Sequence, residues 1–382
     1  INCNNVAASG ISFAFIKAGS TYSGVDPYFD ANMRGAQNAG LKVGVYLYSY
    51  ATTVEQAQNE ADLLIGWLEN YTVSYPVVYD VEDSCHKGMS QEQLQALINT
   101  FCSAVSAAGY YPMVYSSKNW FNQRIGNVGY DKWVAQYADN LEYNGASFWQ
   151  NTSHGNISGV STRVDLNYQF KDFSTLIISD GFLDRNGQTL FFAGYKMQRG
   201  WVNYNDTRYY LDGNGFLQRN CWFADESGTY YLQADGSVAR GQVGIDGQNY
   251  YFDGNGVRLT GWVNLENGKF YYAPDTGAMQ HGWFADESGR YYFSTQDGHM
   301  LVGDVAIEGK NYYFNENGVM QTGIVVKPDG NQYFFDETGA LAVNQQITIE
   351  GVLYQADANG IITPVPVEVV QPAETAEAQP AQ

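Results

Sequence analysis

Positive charge, histidine, cysteine and long apolar runs are all scarce in this chain, and each scarcity closes a door. Of 382 residues only 20 are Lys or Arg against 40 Asp or Glu, so the formal net charge is -20. Such a chain repels phosphates at long range, which argues against nucleic acid and against anionic membrane surfaces as partners. Neutral sugars and cationic groups stay compatible with it. The four cysteines (Cys3, Cys85, Cys102 and Cys221) show no C-x-x-C spacing and no accompanying histidine pattern. No zinc site is expected, nor any other metal or cofactor. Four thiols are also too few for a disulfide scaffold, although a Cys85–Cys102 bridge stays open. No stretch of 18 or more apolar residues exists, so no transmembrane helix is expected. The chain carries no signal peptide and no initiator Met, and Ile1 opens in mid-pattern, so upstream sequence is expected to have been lost.

Tyrosine (31) and glycine (41) are abundant instead, and they are distributed unevenly. Residues 1–177 alternate apolar strand runs with amphipathic helices. Strand candidates are Phe13–Lys17, Leu41–Tyr48, Pro76–Val81, Tyr111–Tyr115, Lys132–Gln136, Ala146–Gln150 and Arg163–Tyr168. Helix candidates are Tyr28–Ala39, closed by Gly40, Thr53–Asn70, and one capped by Ser90 with Gln93 as its capping-box partner. Strand–helix–strand alternation predicts a parallel sheet, and this many units predicts an α/β fold, an irregular (β/α) barrel related to the TIM type. In such barrels the chemistry collects where strands end. Asp80 and Glu82 sit at the end of Pro76–Val81, two positions apart, on the face that a strand shares between i and i+2. Like charges held that close cannot both ionise easily, so one holds a proton near neutral pH. A proton donor beside a carboxylate is what glycosidic cleavage needs. The bland reading is a solvated acidic loop. Asp165 is expected at another strand end, and Trp133, Tyr137 and Trp149 lie on neighbouring strands, where they would stack on sugar rings or simply fill the core.

Several segments in this order resemble glycoside hydrolase family 25 lysozymes, the N-acetylmuramidases. They are Phe13-Ala-Phe-Ile-Lys17, Asp26 with Phe29 and Asn32, Ala39-Gly-Leu-Lys-Val-Gly-Val-Tyr46, Tyr79-Asp-Val-Glu82, Gly109-Tyr-Tyr-Pro112, Trp133-Val-Ala-Gln-Tyr137, Phe148-Trp-Gln150 and Val164-Asp-Leu-Asn167. The resemblance implies that Glu82 is the proton donor and that Asp80 and Asp165 are the other active-site carboxylates. It implies Tyr46, Trp133, Tyr137 and Trp149 along the substrate groove. The bond cut would be the β-1,4 link between N-acetylmuramic acid and N-acetylglucosamine, with retention. The family's first strand carries an Asp-Val-Ser motif, and Ile1-Asn2-Cys3 resembles the segment just after it. The chain is therefore expected to lack that strand and to be weakly active or inactive as it stands.

From Asp184 the texture changes to paired aromatics and Gly-rich turns. The pairs Tyr209-Tyr210, Tyr230-Tyr231, Tyr250-Tyr251, Tyr271-Tyr272, Tyr291-Tyr292, Tyr312-Tyr313 and Tyr333-Phe334 recur every 20 to 21 residues. Segments such as Asp212-Gly-Asn-Gly215 and Asp253-Gly-Asn-Gly256 suit hairpin turns with positive φ. A unit this short must stack on its neighbours to bury its aromatics, so residues 184–363 should form an all-β hairpin-repeat solenoid. The pattern resembles cell-wall-binding (choline- or glucan-binding) repeats, which implies wall-polymer contacts through Trp201, Trp222, Trp262 and Trp283. In choline binders aromatic cages hold a quaternary ammonium by cation–π attraction. Here the position before each Tyr pair, usually Trp in those binders, is Arg208, Thr229, Asn249, Phe270, Arg290, Asn311 and Gln332. Another wall polymer or a glucan is at least as compatible. Residues 364–382, rich in Pro, Ala, Glu and Gln, should be a disordered tail.

Two functions fit. One is a secreted, wall-associated peptidoglycan hydrolase, from a bacterium or a phage, whose repeats concentrate it on glycan strands. The other is a non-catalytic wall- or glucan-binding protein with a degenerate barrel.

Overall fold

The computed structural model describes residues 1–366, and the tail expected at 364–382 falls almost wholly outside them. The described part shows one departure: Pro364, expected to open the tail, closes the strand Ile362–Pro364 and pairs with Tyr354. The chain divides into two compact units, Ile1–Cys221 with Leu232–Val238, and Trp222–Tyr231 with Ala239 onward.

The first unit is built on an eight-stranded sheet. Its strands are β1 (Phe13–Ser20), β2 (Gly24–Val25), β3 (Lys42–Tyr48), β4 (Val77–Asp80), β5 (Pro112–Ser117), β6 (Asp131–Ala135), β7 (Phe148–Gly155) and β8 (Val164–Gln169). The order is β2-β1-β3-β4-β5-β6-β7-β8. From β1 through β7 all neighbours other than the short β2 run parallel, as the alternation predicts. β8 reverses and pairs antiparallel with β7. β1 and β8 are not paired with each other, so the sheet curves as a barrel without closing.

The helices are α1 (Cys3–Ala8), α2 (Phe29–Asn38), α3 (Val54–Leu68) and α4 (Gln91–Ala107). Thr53 caps α3 by accepting from the Gln56 amide, and Ser90 with Gln93 forms a full capping box on α4. α1 was not legible in the sequence, because its short run CNNVAA has no apolar stripe. Asn2 starts it by accepting from Asn5 N–H.

The pleat sorts residues between two cores. Val77, Tyr79 and Val81 face the helices together with Val43, Val45 and Leu47, and Tyr79 stacks on Phe101 of α4 at 4.0 Å. Val78 points the other way and shares an aromatic interior with Tyr115, Trp133, Phe148 and Phe173. Asp80, two residues on, inherits that inner face.

The repeats are antiparallel hairpins, for example Gly261–Leu265 with Gly268–Tyr272, Gly282–Asp286 with Gly289–Phe293, Gly303–Ile307 with Lys310–Phe314, and Gly323–Val326 with Gln332–Phe335. The Asp-Gly-Asn-Gly segments do not make the tight hairpin turns expected of them. Asp212 Oδ1 accepts from the amides of Asn214 and Phe216, and this local bonding closes a one-bridge return, Leu211↔Leu217, after the hairpin. The tight turns lie at pairs such as Asp246-Gly247, with φ of 50° and 80°, the left-handed geometry a two-residue hairpin requires.

Candidate active site

Asp80 is the last residue of β4, and Glu82 lies just beyond the strand rather than on it. Two bonds fix this exit. Ser49 N–H donates to the Asp80 carbonyl at 3.0 Å, and Ser116 Oγ donates to the Val81 carbonyl at 2.7 Å. Asp165 needs a correction. It was expected at the C-terminal end of a parallel strand, but it lies at the start of β8. Because β8 runs antiparallel, its start comes to the rim where the parallel strands end. The expected meeting of acids is kept, by the opposite strand direction.

All three acids line one cavity of about 740 Å³, with Tyr46, Tyr48, Tyr115 and Trp133 around them. The same cavity is bounded by Phe13–Phe15 and Lys17 of β1 and by Val164–Tyr168 of β8, the two strands that do not pair. Burial raises Asp80 well above the usual carboxylate range, the charge of Glu82 adds to the rise, and Lys17 opposes it. Asp80 Oδ1 is buried without a hydrogen-bond partner among the described residues. Glu82 is raised by burial, then by Asp165 and Asp83. Asp165 is raised by burial, while a hydrogen bond from Gln150 opposes. Burial and the surrounding carboxylates push Tyr46 and Tyr115 upward, so both stay protonated donors. Three carboxyls held above their normal range in one cavity favour a state in which one carries a proton beside an ionised neighbour.

The aromatic residues proposed for the groove divide. Trp133 lines the cavity and its indole N–H donates to Asn167 Oδ1 at 2.7 Å. Tyr46 lines it as well. Tyr137 is exposed beyond β6, its hydroxyl 3.3 Å from Gln150 Oε1. Trp149 does not reach the cavity. Phe148 pairs with Trp133 on the inner face, so the next residue points outward. There Trp149 is buried against Tyr168 and donates to the Gln136 carbonyl at 2.7 Å.

Sequence reasoning missed Lys17, Tyr48, Tyr115 and Gln150. Lys17 had a signal: Phe13 and Phe15 face the inner core, and Lys17 continues their alternation as a charge. Tyr115 donates to Gln150 Oε1 at 2.7 Å, a contact between strands that no local pattern announces. Glu60 of α3 was also missed. It is fully buried and accepts from Tyr79 Oη at 2.7 Å, Ser49 Oγ at 2.8 Å, Tyr50 N–H at 2.9 Å and Thr21 Oγ1 at 3.2 Å. It thereby ties the helix to the residue preceding Asp80 and to the loop after β3. All four cysteines are free thiols, so the Cys85–Cys102 bridge is not formed.

Residues 1–160 match the sequence profile of glycosyl hydrolases family 25. By this match the N-terminal segment is similar to family 25 domains. Residues 200–215 match a putative cell wall binding repeat, and 239–279 and 303–345 match choline-binding repeats. Among curated relatives, the uncharacterized protein YegX of Escherichia coli (strain K12) is 29% identical over 163 residues, covering 41% of this chain and 58% of YegX. Lysozyme M1 of Streptomyces globisporus is 30% identical over 187 residues, covering 44% of this chain and 63% of the relative. The autolytic lysozyme of Clostridium acetobutylicum is 26% identical over 185 residues, covering 47% and 54%. The chain thus spans between about half and two thirds of the length of these relatives. The family 25 match includes Asp80 and Glu82 and stops short of Asp165.

In the repeats, Trp222, Trp262 and Trp283 each stand in an aromatic box. Trp262 meets Tyr271 of its own hairpin at 5.2 Å, then Tyr291 and Phe293 of the next hairpin at 4.9 and 5.6 Å. Trp283 repeats this with Tyr292, Tyr312 and Phe314, and Trp222 with Tyr231, Tyr250 and Phe252. Trp201 packs on Tyr210 at 5.0 Å.

Proposed function

We propose that this chain is a peptidoglycan hydrolase of the lysozyme type, cutting the β-1,4 bond between N-acetylmuramic acid and N-acetylglucosamine outside the cytoplasm, at the cell wall. Residues 1–177 carry the chemistry and residues 184–363 attach the chain to the wall. The observation that supports this best is the meeting of Asp80, Glu82 and Asp165 in one aromatic-walled cavity, each held above the ordinary carboxylate range.

In this reading the Glu82 carboxyl protonates the glycosidic oxygen as the bond from C1 breaks. Positive charge then grows on the sugar ring, and the ionised carboxylates beside it stabilise that charge. The second step proceeds through a carboxylate or through the substrate's own acetamido group. Water completes the hydrolysis and returns a proton to Glu82. Trp133 and Tyr46 offer flat faces and polar edges for the sugar. Attachment by the repeats raises the local concentration of glycan bonds around the cavity.

The test is release of reducing ends from purified peptidoglycan by the full chain, beside the Glu82→Gln variant. Activity retained by the variant at the wild-type level would remove Glu82 from the donor role. No release by the folded wild-type chain would favour a wall-binding protein without catalysis.

A further inference from the structure

Four tryptophans of the repeats carry a cation of this same chain over the ring. The charge centres are Arg208 at 3.8 Å from the Trp201 centroid, Arg258 at 5.7 Å from Trp222, Lys269 at 4.3 Å from Trp262 and Arg290 at 4.7 Å from Trp283. Arg208, Lys269 and Arg290 hold one equivalent place, opposite the fourth residue of the first strand: Asn203, Asn264 and Ala285. From there each reaches the tryptophan two residues earlier.

The joint after Gly303 goes further. Asp304 holds the place that Trp262 and Trp283 hold in their hairpins, opposite Tyr313. No indole is left to complete the box with Tyr333 and Phe335 of the next hairpin. The ammonium of Lys327 stands there instead, 4.0 Å from the Tyr333 centroid, 5.1 Å from Tyr313 and 5.4 Å from Phe335, and ion-paired to Asp304. Lys327 is the one buried Lys or Arg among the described residues, 9% exposed. The equivalent joint one repeat pair earlier has the reverse polarity: Trp262 Nε1 donates to Asp286 Oδ2 at 3.3 Å, and Asp286 occupies the place of Lys327. Where the indole is lost, an acid and a base have replaced the donor and the acceptor together.

We propose that the box of Asp304, Tyr313, Tyr333 and Phe335 is an ammonium-binding site whose occupant is Lys327. By the same logic, the repeats set their own cations against the rings that a quaternary ammonium on the wall would use. Three aromatic faces and one carboxylate are the chemistry that recognises such a cation. A tethered ammonium excludes a soluble one, because its effective concentration at the box exceeds that of millimolar free ligand. At this box the chain's own lysine therefore takes the place of a quaternary ammonium.

The experiment titrates the full chain with choline chloride by calorimetry, comparing wild type, Lys327→Ala and the double variant Lys327→Ala/Asp304→Asn. Wild type should give no saturable heat through the millimolar range. Lys327→Ala should gain one saturable site, about tenfold or more tighter than any wild-type response, and the double variant should lose it. Saturable choline binding by wild type that Lys327→Ala leaves unchanged would overturn the proposal. So would a folded Lys327→Ala chain that binds nothing, since the pair would then be structural only. Should that variant not fold, NMR of the wild type decides: ring currents should shift the Lys327 Cε protons upfield, and unshifted protons would overturn the assignment. The readout is ligand binding, so it stands or falls apart from hydrolysis.

Discussion

In the barrel, the buried carboxyl of Asp80 leaves Oδ1 without a hydrogen-bond partner among the described residues, and the charge of Glu82 raises it further while Asp165 and Asp83 raise Glu82. In the repeats, the buried ammonium of Lys327 has a carboxylate and three rings around it, and each tryptophan has a cation over it. Both regions place charge next to aromatic rings. They differ in whether that charge is satisfied. An unsatisfied buried acid costs stability and persists where it is used, as at a site that must accept or donate a proton. A satisfied cation rigidifies the scaffold and leaves little for a ligand to complete. Polar satisfaction, more than composition, separates the proposed catalytic region from the repeats.

Removing the proposed donor should break this comparison most sharply. Glu82→Gln should lower hydrolysis of peptidoglycan by about 10²–10⁴-fold, the usual worth of a positioned general acid. The barrel should melt no lower than wild type, because the amide is isosteric and removes a carboxyl that burial and neighbouring acids already hold above its normal range. Initial rates of reducing-end release measure the first part and calorimetry the second. The pH profile of the wild type carries the same information. Burial and the neighbouring acids raise Glu82, so activity should persist above the usual carboxylate range before it falls with rising pH.

Glu60 tests whether a fully satisfied acid in the barrel behaves as the repeats' charges do. Glu60→Ala strips the acceptor from Tyr79, Ser49, Tyr50 and Thr21, and should cost about 3 kcal/mol of barrel stability in urea unfolding. Glu60→Gln, which keeps an acceptor, should cost less. An equal loss in both variants would show that charge, and not hydrogen-bond geometry, is what the network uses.

The same contrast explains what the sequence could reveal. Strands and helices of the barrel were legible because Pro76–Val81 and Thr53–Asn70 carry their own periodicity and caps. The reversed direction of β8 was not, because Val164-Asp-Leu-Asn167 reads alike in a parallel or an antiparallel strand. The pairing with β7 alone decides it. Asp80 and Glu82 were legible as acids in an apolar setting, whereas Glu60 reads as one more polar position on an amphipathic helix until the fold buries it. Trp149 shows the opposite failure. Its type suggested a sugar platform, but the one-residue phase of the pleat turns it outward. In the repeats the period was plain, and Arg208, Lys269 and Arg290 each follow their tryptophan at one fixed spacing, but only the hairpin pairing shows that this diagonal sets the charge over the ring.

Asp80→Asn should move stability in the unexpected direction. The folded pKa of Asp80 is raised by burial and by Glu82, so the folded chain binds more protons than the unfolded one. The stability this group contributes is complete below its unfolded pKa, near about 4, and is lost as pH rises through the folded value. An uncharged side chain escapes that loss. The variant should therefore be more stable than wild type at neutral pH, with the gap closing as pH falls toward about 4, while hydrolysis drops at least about 100-fold. Thermal melts at matched pH values check the first claim. A gap that does not change with pH would mean that Asp80 is not the titrating group.

The smallest effect is expected where a repeat cation is removed. Lys269 lies 4.3 Å from the Trp262 ring and is partly exposed, so Lys269→Met keeps the packing of the stem and deletes only the charge. Cation–π contacts of this exposure are worth about 0.5–1 kcal/mol, and the melt of the repeats should shift by no more than that. Because the chain has more than one unit, the shift must be read on the transition of the repeats by calorimetry, not on a single overall midpoint. Peptidoglycan release by the barrel should be unchanged on soluble glycan fragments, which need no anchoring. A loss of several kcal/mol would mean that Lys269 supports the solenoid as Glu60 supports the barrel, and the contrast between the two regions would narrow to the candidate catalytic acids alone.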